Sequence, residues 1–256
     1  MSTHAKVSIS DQVAEILFFE ENERKPCTID WDVLDELEKI FDEIEKSEVR
    51  VVLVKSASKK SFIVGANIAV LQTLNAENIQ TWVRTGHRVF DRLQTMRIPT
   101  IACVESYALG GGLEIAMACD MIIATENAKF AQPEASLGVM PGWGGSLRLA
   151  ERVGKARAKE MFYTGEQITA QTAYEWGLVN HVCATENLDA FISEMIEKIK
   201  KNDSQVQALT KEILNSKSEG ERLRNAGDEA ITSSVCMNSE TTKQRMDEFF
   251  RSRQKK

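Results

Sequence analysis

The chain reads as an α/β protein. Three observations carry that expectation: short apolar runs suited to buried strands, a strand–loop–helix order recurring through the first two-thirds, and a final stretch of helices alone. Arg50–Lys55 and Ile98–Val104 are continuous apolar runs, as in a parallel sheet with both faces covered. Met121–Thr125 is a third. The recurrence joins 50–55 to a helix at 66–74, 98–104 to one at 111–119, and 121–125 to one at 144–153, without a strict sequence repeat.

Taken in order, Lys6–Ser10 and Val13–Phe19 read as strands joined by a turn at Asp11-Gln12, and Glu20–Lys25 as a charged loop. Asp30 is an N-cap for a helix to about Lys46, with Val33, Leu34, Leu37, Ile40, Phe41 and Ile44 on one face. From about Asn187 the pattern changes to helices at 187–201, 203–217, 219–235 and 240–251. No linker rich in Pro, Gly or Ser precedes them, so residues 1–186 are expected to form the core and 187–256 an appended helical layer. Met246, Phe249 and Phe250 give the last helix a large apolar payload, suited to docking on a neighbour or on the parent domain.

A chain of 256 residues has ample material for one large core. Its net charge of −6 argues against a broadly basic nucleic-acid surface. The five cysteines are odd in number and widely spaced, which reads as free thiols in a reducing compartment. None has zinc-ligand spacing with His4, His87 or His181. Met1–Asp11 is polar and lacks the apolar stretch of a signal peptide, and no run reaches transmembrane length. A cytoplasmic location is expected, with a processed organellar form left open.

Chemistry concentrates in a few short segments. Ala108-Leu109-Gly110-Gly111-Gly112-Leu113-Glu114 follows a buried strand and opens an apolar helix. Helix-start N–H groups are unpaired and favour negative charge, and glycine permits close approach. A tight strand-to-helix turn is the competing reading, and the spacing of a dinucleotide fingerprint is absent. Glu114 sits among Leu113, Ile115, Ala116 and Met117, and Glu134 among Phe130, Ala131, Pro133 and Leu137. A carboxylate in such surroundings is costly unless paired or protonated. One buried Glu is ordinarily structural; two beside glycine-rich turns favour a shared site. Gly65-Ala66 offers a further N–H at a helix start, or a surface turn. Pro141-Gly142-Trp143-Gly144-Gly145 is an anion loop or a tight connection, and Trp143 either lines a pocket or covers that loop. His87 reads as a polar-face histidine rather than a base. Ser106 and Ser146 lack a nucleophile elbow.

With these segments in view, the chain resembles the crotonase superfamily, specifically enoyl-CoA hydratases. Phe62–Ile68 is similar to the family's F-x-x-G-A-D-I block, Tyr107–Glu114 to A-L-G-G-G-x-E, and Phe130–Gly145 to F-x-Q-P-E followed by P-G-x-G-G. The likeness extends through Thr164-Gly165, Gly177-Leu178-Val179 and the helical tail. It implies a spiral of ββα turns, a C-terminal helical trimerisation region within residues 187–256, a homotrimer or homohexamer, and an acyl-CoA thioester substrate. It matches Ala66 and Gly111 to two oxyanion N–H donors, Glu114 and Glu134 to catalytic carboxylates, and Gly142 to a backbone position near the catalytic water. Asn67, Ile68, Leu109 and Trp143 fall in or beside the matched blocks and are expected to contact substrate. The resemblance also matches Arg24 and Lys25 to the CoA phosphates, although they lie in Asn22–Ile29, where the family's usual CoA-contacting pattern is lacking. Asn67 stands where many members carry Asp, Glu105-Ser106 replaces a frequent Asn-Gly, and Trp143 replaces a smaller residue, leaving room for a cyclic or aromatic acyl group.

The implied activity is hydration of a trans-2-enoyl-CoA to a 3-hydroxyacyl-CoA, with no metal or redox cofactor and coenzyme A as part of the substrate. An isomerase or an aromatic-acyl hydratase is the alternative within the fold. A non-catalytic acyl-CoA or RNA-binding relative is the alternative of another class. Isomerases can work with one base, so two carboxylates favour hydration. The same pair argues against dead chemistry, and the acidic charge against RNA.

Overall fold

Alternating apolar side chains set the first hairpin. Strands β1 (His4–Ser10) and β2 (Val13–Phe19) pair antiparallel, Ser10 opposite Val13, with Ala14, Ile16 and Phe18 buried. Asp11 and Gln12 both take positive φ, 46° and 61°, as a two-residue turn matched to strand twist requires. Helix α1 (Trp31–Glu45) follows, capped by Asp30 Oδ1, which accepts from Val33 N at 3.1 Å. Its six expected apolar positions are all buried. The architecture is that of a computed structural model describing residues 3–22, 24–58, 60–216 and 219–254. Glu23 of the charged loop, Lys217 at the end of the expected 203–217 helix, and Lys255 and Lys256 of the tail lie outside the described residues, as do Met1 and Ser2.

Three turns of chain then each lay down two strands and a helical segment. The first has β3 (Val51–Ser56), β4 (Ser61–Ile63), α2 (Ile68–Leu71) and α3 (Ile79–Thr95). The second has β5 (Thr100–Val104), β6 (Tyr107–Leu109) and α4 (Gly111–Ala118). The third has β7 (Met121–Thr125), β8 (Lys129–Ala131), α5 (Glu134–Leu137), α6 (Gly145–Val153) and α7 (Lys155–Thr164). The strands β9 (Ile168–Thr169) and β10 (His181–Cys183) flank α8 (Ala170–Glu175). First strands join one sheet in the order β1-β2-β3-β5-β7-β10; second strands join another, β4-β6-β8-β9. Pairing is parallel except at β1–β2 and β8–β9.

Two corrections to the sequence reading follow. Each repeat holds two strands rather than one, because β4, β6 and β8 are three residues long and too short to show a period. The helix expected at 66–74 is a single turn, α2; the long helix is α3.

The central strands β3, β5 and β7 of the six-stranded sheet are apolar on both faces. Val52, Val54, Ala102, Val104, Ile122 and Ala124 face the main core. Val51, Leu53, Ile101, Cys103 and Ile123 face a second cluster, covered by Leu188, Ile192 and Ile199 of α9 (Leu188–Lys200). Two-sided burial explains why these strands read as unbroken apolar runs. Each such aliphatic side chain removed from water is worth about 1.5–3 kcal/mol.

The remaining helices are α10 (Ser204–Ser216), α11 (Glu219–Met237) and α12 (Glu240–Gln254). Helix α11 packs on α3, and α12 on α5, where Thr242 Oγ1 donates to Gly138 O at 2.7 Å. The apolar tail thus reaches its own chain: Met246 and Phe249 line a cavity in the core, described below. All five cysteines are free. Among the described residues no helix is long and apolar enough to cross a membrane, and no cluster of His, Cys, Asp or Glu could hold a metal ion.

Candidate active site

The site begins with two backbone segments in close approach. Gly65 takes φ +96°, and a Cβ there would sit 3.3 Å from Leu109 O and 3.6 Å from Gly111 N. On either side of Ala66 the chain is pinned: Ile29 N donates to Gly65 O at 2.9 Å, and Asn67 N to Ile29 O at 2.7 Å. Between them Ala66 N donates to no acceptor among the described residues. Gly111, the first residue of α4, likewise has an unpartnered N–H, as a helix start dictates. Gly112 lets α4 seat directly on β4; a Cβ there would lie 2.0 Å from Ile63 O.

Glu114 lies in the first turn of α4, inside a helix whose every residue is buried; it is itself 2% exposed. Its Oε1 accepts from Trp143 N at 2.8 Å and Gly145 N at 2.7 Å. Oε2 receives no hydrogen bond from the described residues and is the oxygen left for the cavity that Glu114 lines. Glu134, at the start of α5, reaches the same cavity. As a whole residue it is half-buried, yet its carboxyl end is deep: a Cβ on Gly110 would meet its Oε1 at 2.8 Å. The buried Gln132 amide, oriented by its neighbours, donates to both carboxylate oxygens at 2.9 and 3.0 Å.

Burial pushes the Glu114 carboxyl well above the usual carboxylate range, with the charges of Glu229 and Glu134 adding to it; the two backbone N–H groups oppose the shift. Burial, with Glu229, pushes Glu134 up to about 8. Neighbouring carboxyls in one dry site titrate as a pair and hold a proton between them near neutral pH.

The cavity these groups share has a volume of about 390 Å³. Ala66, Ile68, Leu109, Gly111, Glu114, Glu134, Gly142 and Trp143 all line it, so most of the expected site residues are brought together. Three are not. Asn67 turns its Oδ1 to cap α2 through Ala69 N at 2.9 Å, and its Nδ2 reaches Asp30 Oδ2 at 3.4 Å. Arg24 and Lys25 are exposed on the loop outside the wall, where Pro26 is the nearest lining residue in sequence. Trp143, 2% exposed, lines the cavity, as one of the two readings had it, and its indole packs on Gly86 and Gly111. Its indole leaves no space for a Cβ on Gly86, at 2.1 Å, or on Gly111, at 2.5 Å. It abuts Trp82 and Phe90 with ring centroids 5.0 and 5.3 Å away. Trp143 is therefore a packed part of the cavity wall.

Some residues at the site had no sequence signal, and one had a signal misread. His87 is buried, 3% exposed, and its Nε2 lies 2.9 Å from Glu229 Oε2, so it is not a polar-face histidine. Buried Val83 and Phe90 lie at helical spacing on either side of it, and that stripe would have placed it inward. Glu229, 2% exposed, sits mid-helix in α11 between Asp228 and Ala230, with nothing local to mark it. Met246 and Phe249 were legible as apolar payload but not as cavity wall.

Residues 9–256 match the sequence model of the enoyl-CoA hydratase/isomerase family. The short-chain-enoyl-CoA hydratase of Clostridium acetobutylicum is 40% identical over 185 residues, 72% of this chain and 71% of that protein. The crotonyl-CoA hydratase of Syntrophomonas wolfei is 36% identical over 205 residues, covering 80% of this chain and 79% of that protein. Among solved structures, an enoyl-CoA hydratase from Mycobacterium avium subsp. paratuberculosis superposes with a TM-score of 0.84 at 25% identity, covering 95% and 97% of the two chains. With the two-sheet spiral, the paired carboxylates and this match over nearly the whole length, the chain belongs to the enoyl-CoA hydratase/isomerase family.

Proposed function

We propose that the protein hydrates trans-2-enoyl-CoA thioesters to 3-hydroxyacyl-CoA. The observation that carries this reading is one cavity lined by two carboxylates and by Ala66 and Gly111, the residues with unpartnered N–H groups. The two N–H groups take the thioester carbonyl oxygen and stabilise the enolate as it forms. Glu114, held by two backbone donors that suit its ionised form, draws a proton from water as the oxygen bonds to C3. Glu134, whose carboxyl burial pushes up to about 8, carries the shared proton and delivers it to C2. The balance is one water added and one C–C double bond consumed, with no cofactor called for beyond the coenzyme A of the substrate.

The packed Trp143 wall and the apolar lid residues Met246 and Phe249 support a short, unbranched acyl group over a ring. This agrees with the names of the relatives from Clostridium and Syntrophomonas. Exposed apolar side chains on α10 (Val206, Leu209, Ile213) and α11 (Leu223, Ile231, Val235) support a homotrimer or homohexamer built through residues 187–256. Five free thiols suit a reducing compartment, and we place the protein in the cytoplasm. Steady-state kinetics with crotonyl-CoA test the activity. Turnover to 3-hydroxybutyryl-CoA is expected, and no hydration of crotonyl-CoA or its longer homologues would refute the reading. Light scattering showing a monomer at micromolar concentration would refute the assembly.

A further inference from the structure

Four successive N–H groups of the 143–146 loop alternate between two buried carboxylates. Trp143 N and Gly145 N go to Glu114. Gly144 N donates to Glu229 Oε2 at 2.9 Å, and Ser146 N to Glu229 Oε1 at 3.2 Å. Glu229 also accepts from Ser146 Oγ at 2.5 Å and from His87 Nε2 at 2.9 Å. Two of the four partners are backbone N–H groups, which can only donate, an arrangement that suits an acceptor carboxylate. A second α11 residue, Asn225, supports the same hydroxyl, its Nδ2 lying 2.7 Å from Ser146 Oγ. Glu229 itself does not line the cavity.

We propose that Glu229 is a positioning residue for the hydration reaction: from α11 it clamps the back of the 143–146 loop, and the loop's other two N–H groups thereby hold Glu114 in place. This rests on the hydratase reading given above. A loop with donors on both sides needs acceptors on both sides, and without Glu229 two buried N–H groups lose their partner. Glu229 also acts through charge, since its carboxylate raises both Glu114 and Glu134 toward the protonated form. The titratable and charged groups facing it are His87 on α3, Arg148 on α6, Glu114 on α4 and Glu134 on α5. From α12 no hydrogen bond or ion pair to it is seen among the described residues. The simpler alternative is a clasp that merely fastens α11 to the core. That role predicts lost stability but leaves the titration of the pair where it was.

The test compares full-length wild type, Glu229→Gln and Ser146→Ala with crotonyl-CoA across pH, with circular dichroism to verify folding. For Glu229→Gln, kcat should fall about 100-fold as Glu114 loses its placement, with KM nearly unchanged. Both limbs of its pH–kcat profile should move to lower pH, by about one unit, because a negative neighbour is gone. Ser146→Ala keeps the carboxylate but removes a donor from it, so its limbs should move the other way, to higher pH. Limbs unmoved in either folded variant would overturn the proposal, whatever happens to kcat; if Glu229→Gln does not fold, Ser146→Ala decides. Carbon-13 NMR titration of the glutamate carboxyls in the same proteins reads the same shifts without substrate. An inactive wild type would thus refute the hydratase reading while the NMR still judges whether Glu229 governs Glu114.

Discussion

The glycine-rich helix starts at the site put their N–H groups to opposite uses. The strap at Gly65-Ala66 and the turn at Gly110-Gly111 leave Ala66 N and Gly111 N without partners beside the cavity. The loop at 143–146 spends its N–H groups internally, on Glu114 and Glu229. Both fit the generic expectation of an anion site at a helix start. What separates them is which carboxylates the fold delivers. Glu114 comes from α4 and Glu229 from α11, and they turn the second loop from a ligand site into a holder of catalytic machinery. A glycine-rich helix start is thus an offer of donors, and distant packing decides who accepts.

The sharpest break of this contrast is at the carboxylates. Glu134→Gln and Glu114→Gln should each lower kcat on crotonyl-CoA by about 10²–10⁴-fold with the fold intact by circular dichroism. Near-wild-type turnover in either variant would remove that residue from the chemistry. The open segment is probed next. Ala66→Pro deletes one donor and should cost about 10²–10³-fold in kcat. Ala66→Ser, which keeps the N–H, should stay close to wild type; equal losses in the two would mean that the donor is not what matters. For the closed loop, Gly145→Ala puts a Cβ 2.8 Å from Glu114 Oε1. The carboxylate must shift, so kcat should fall while the melting curve shows a loss of about 1–3 kcal/mol from overpacking. An unaltered kcat would show that Gly145 does not set the placement of Glu114.

A further expected effect is thermodynamic. Glu134 titrates near 8 when folded, against 4.5 as its ordinary value, so over that window the folded protein holds a proton that the unfolded chain has released. Stability must then fall as pH rises through the window. Glu134→Gln removes that loss. The variant should unfold at higher denaturant than wild type above pH 8 and match it below pH 4.5, with the gap opening across that window. A gap independent of pH would mean that the carboxyl is not held protonated in the folded state.

Much of this was legible along the chain because the causes are local. Asp30 caps α1 through its own third neighbour, and the six apolar positions after it repeat with helical period. Glu114 and Glu134 stood out because charge inside an apolar run needs a reason, and both line the cavity. The unbroken apolar strands announced a sheet covered on two sides. The three-residue strands β4, β6 and β8 were silent, since three residues cannot display a period and form only when the spiral brings neighbours alongside.

By itself, then, the sequence determined the α/β class, the helical tail, the two buried carboxylates and the glycine positions where backbone must come close. Tertiary structure alone decided that Trp143 wedges between Gly86 and Gly111, that Met246 and Phe249 fold back over the cavity, and that Asn67 caps a helix instead of facing substrate. It alone brought Glu229 and His87 together across 142 positions to grip the loop behind Glu114. The physical reason is range. Capping, periodicity and buried charge are set by residues within a few positions of one another, whereas a hydrogen bond between distant elements leaves no mark on either until packing excludes water from both.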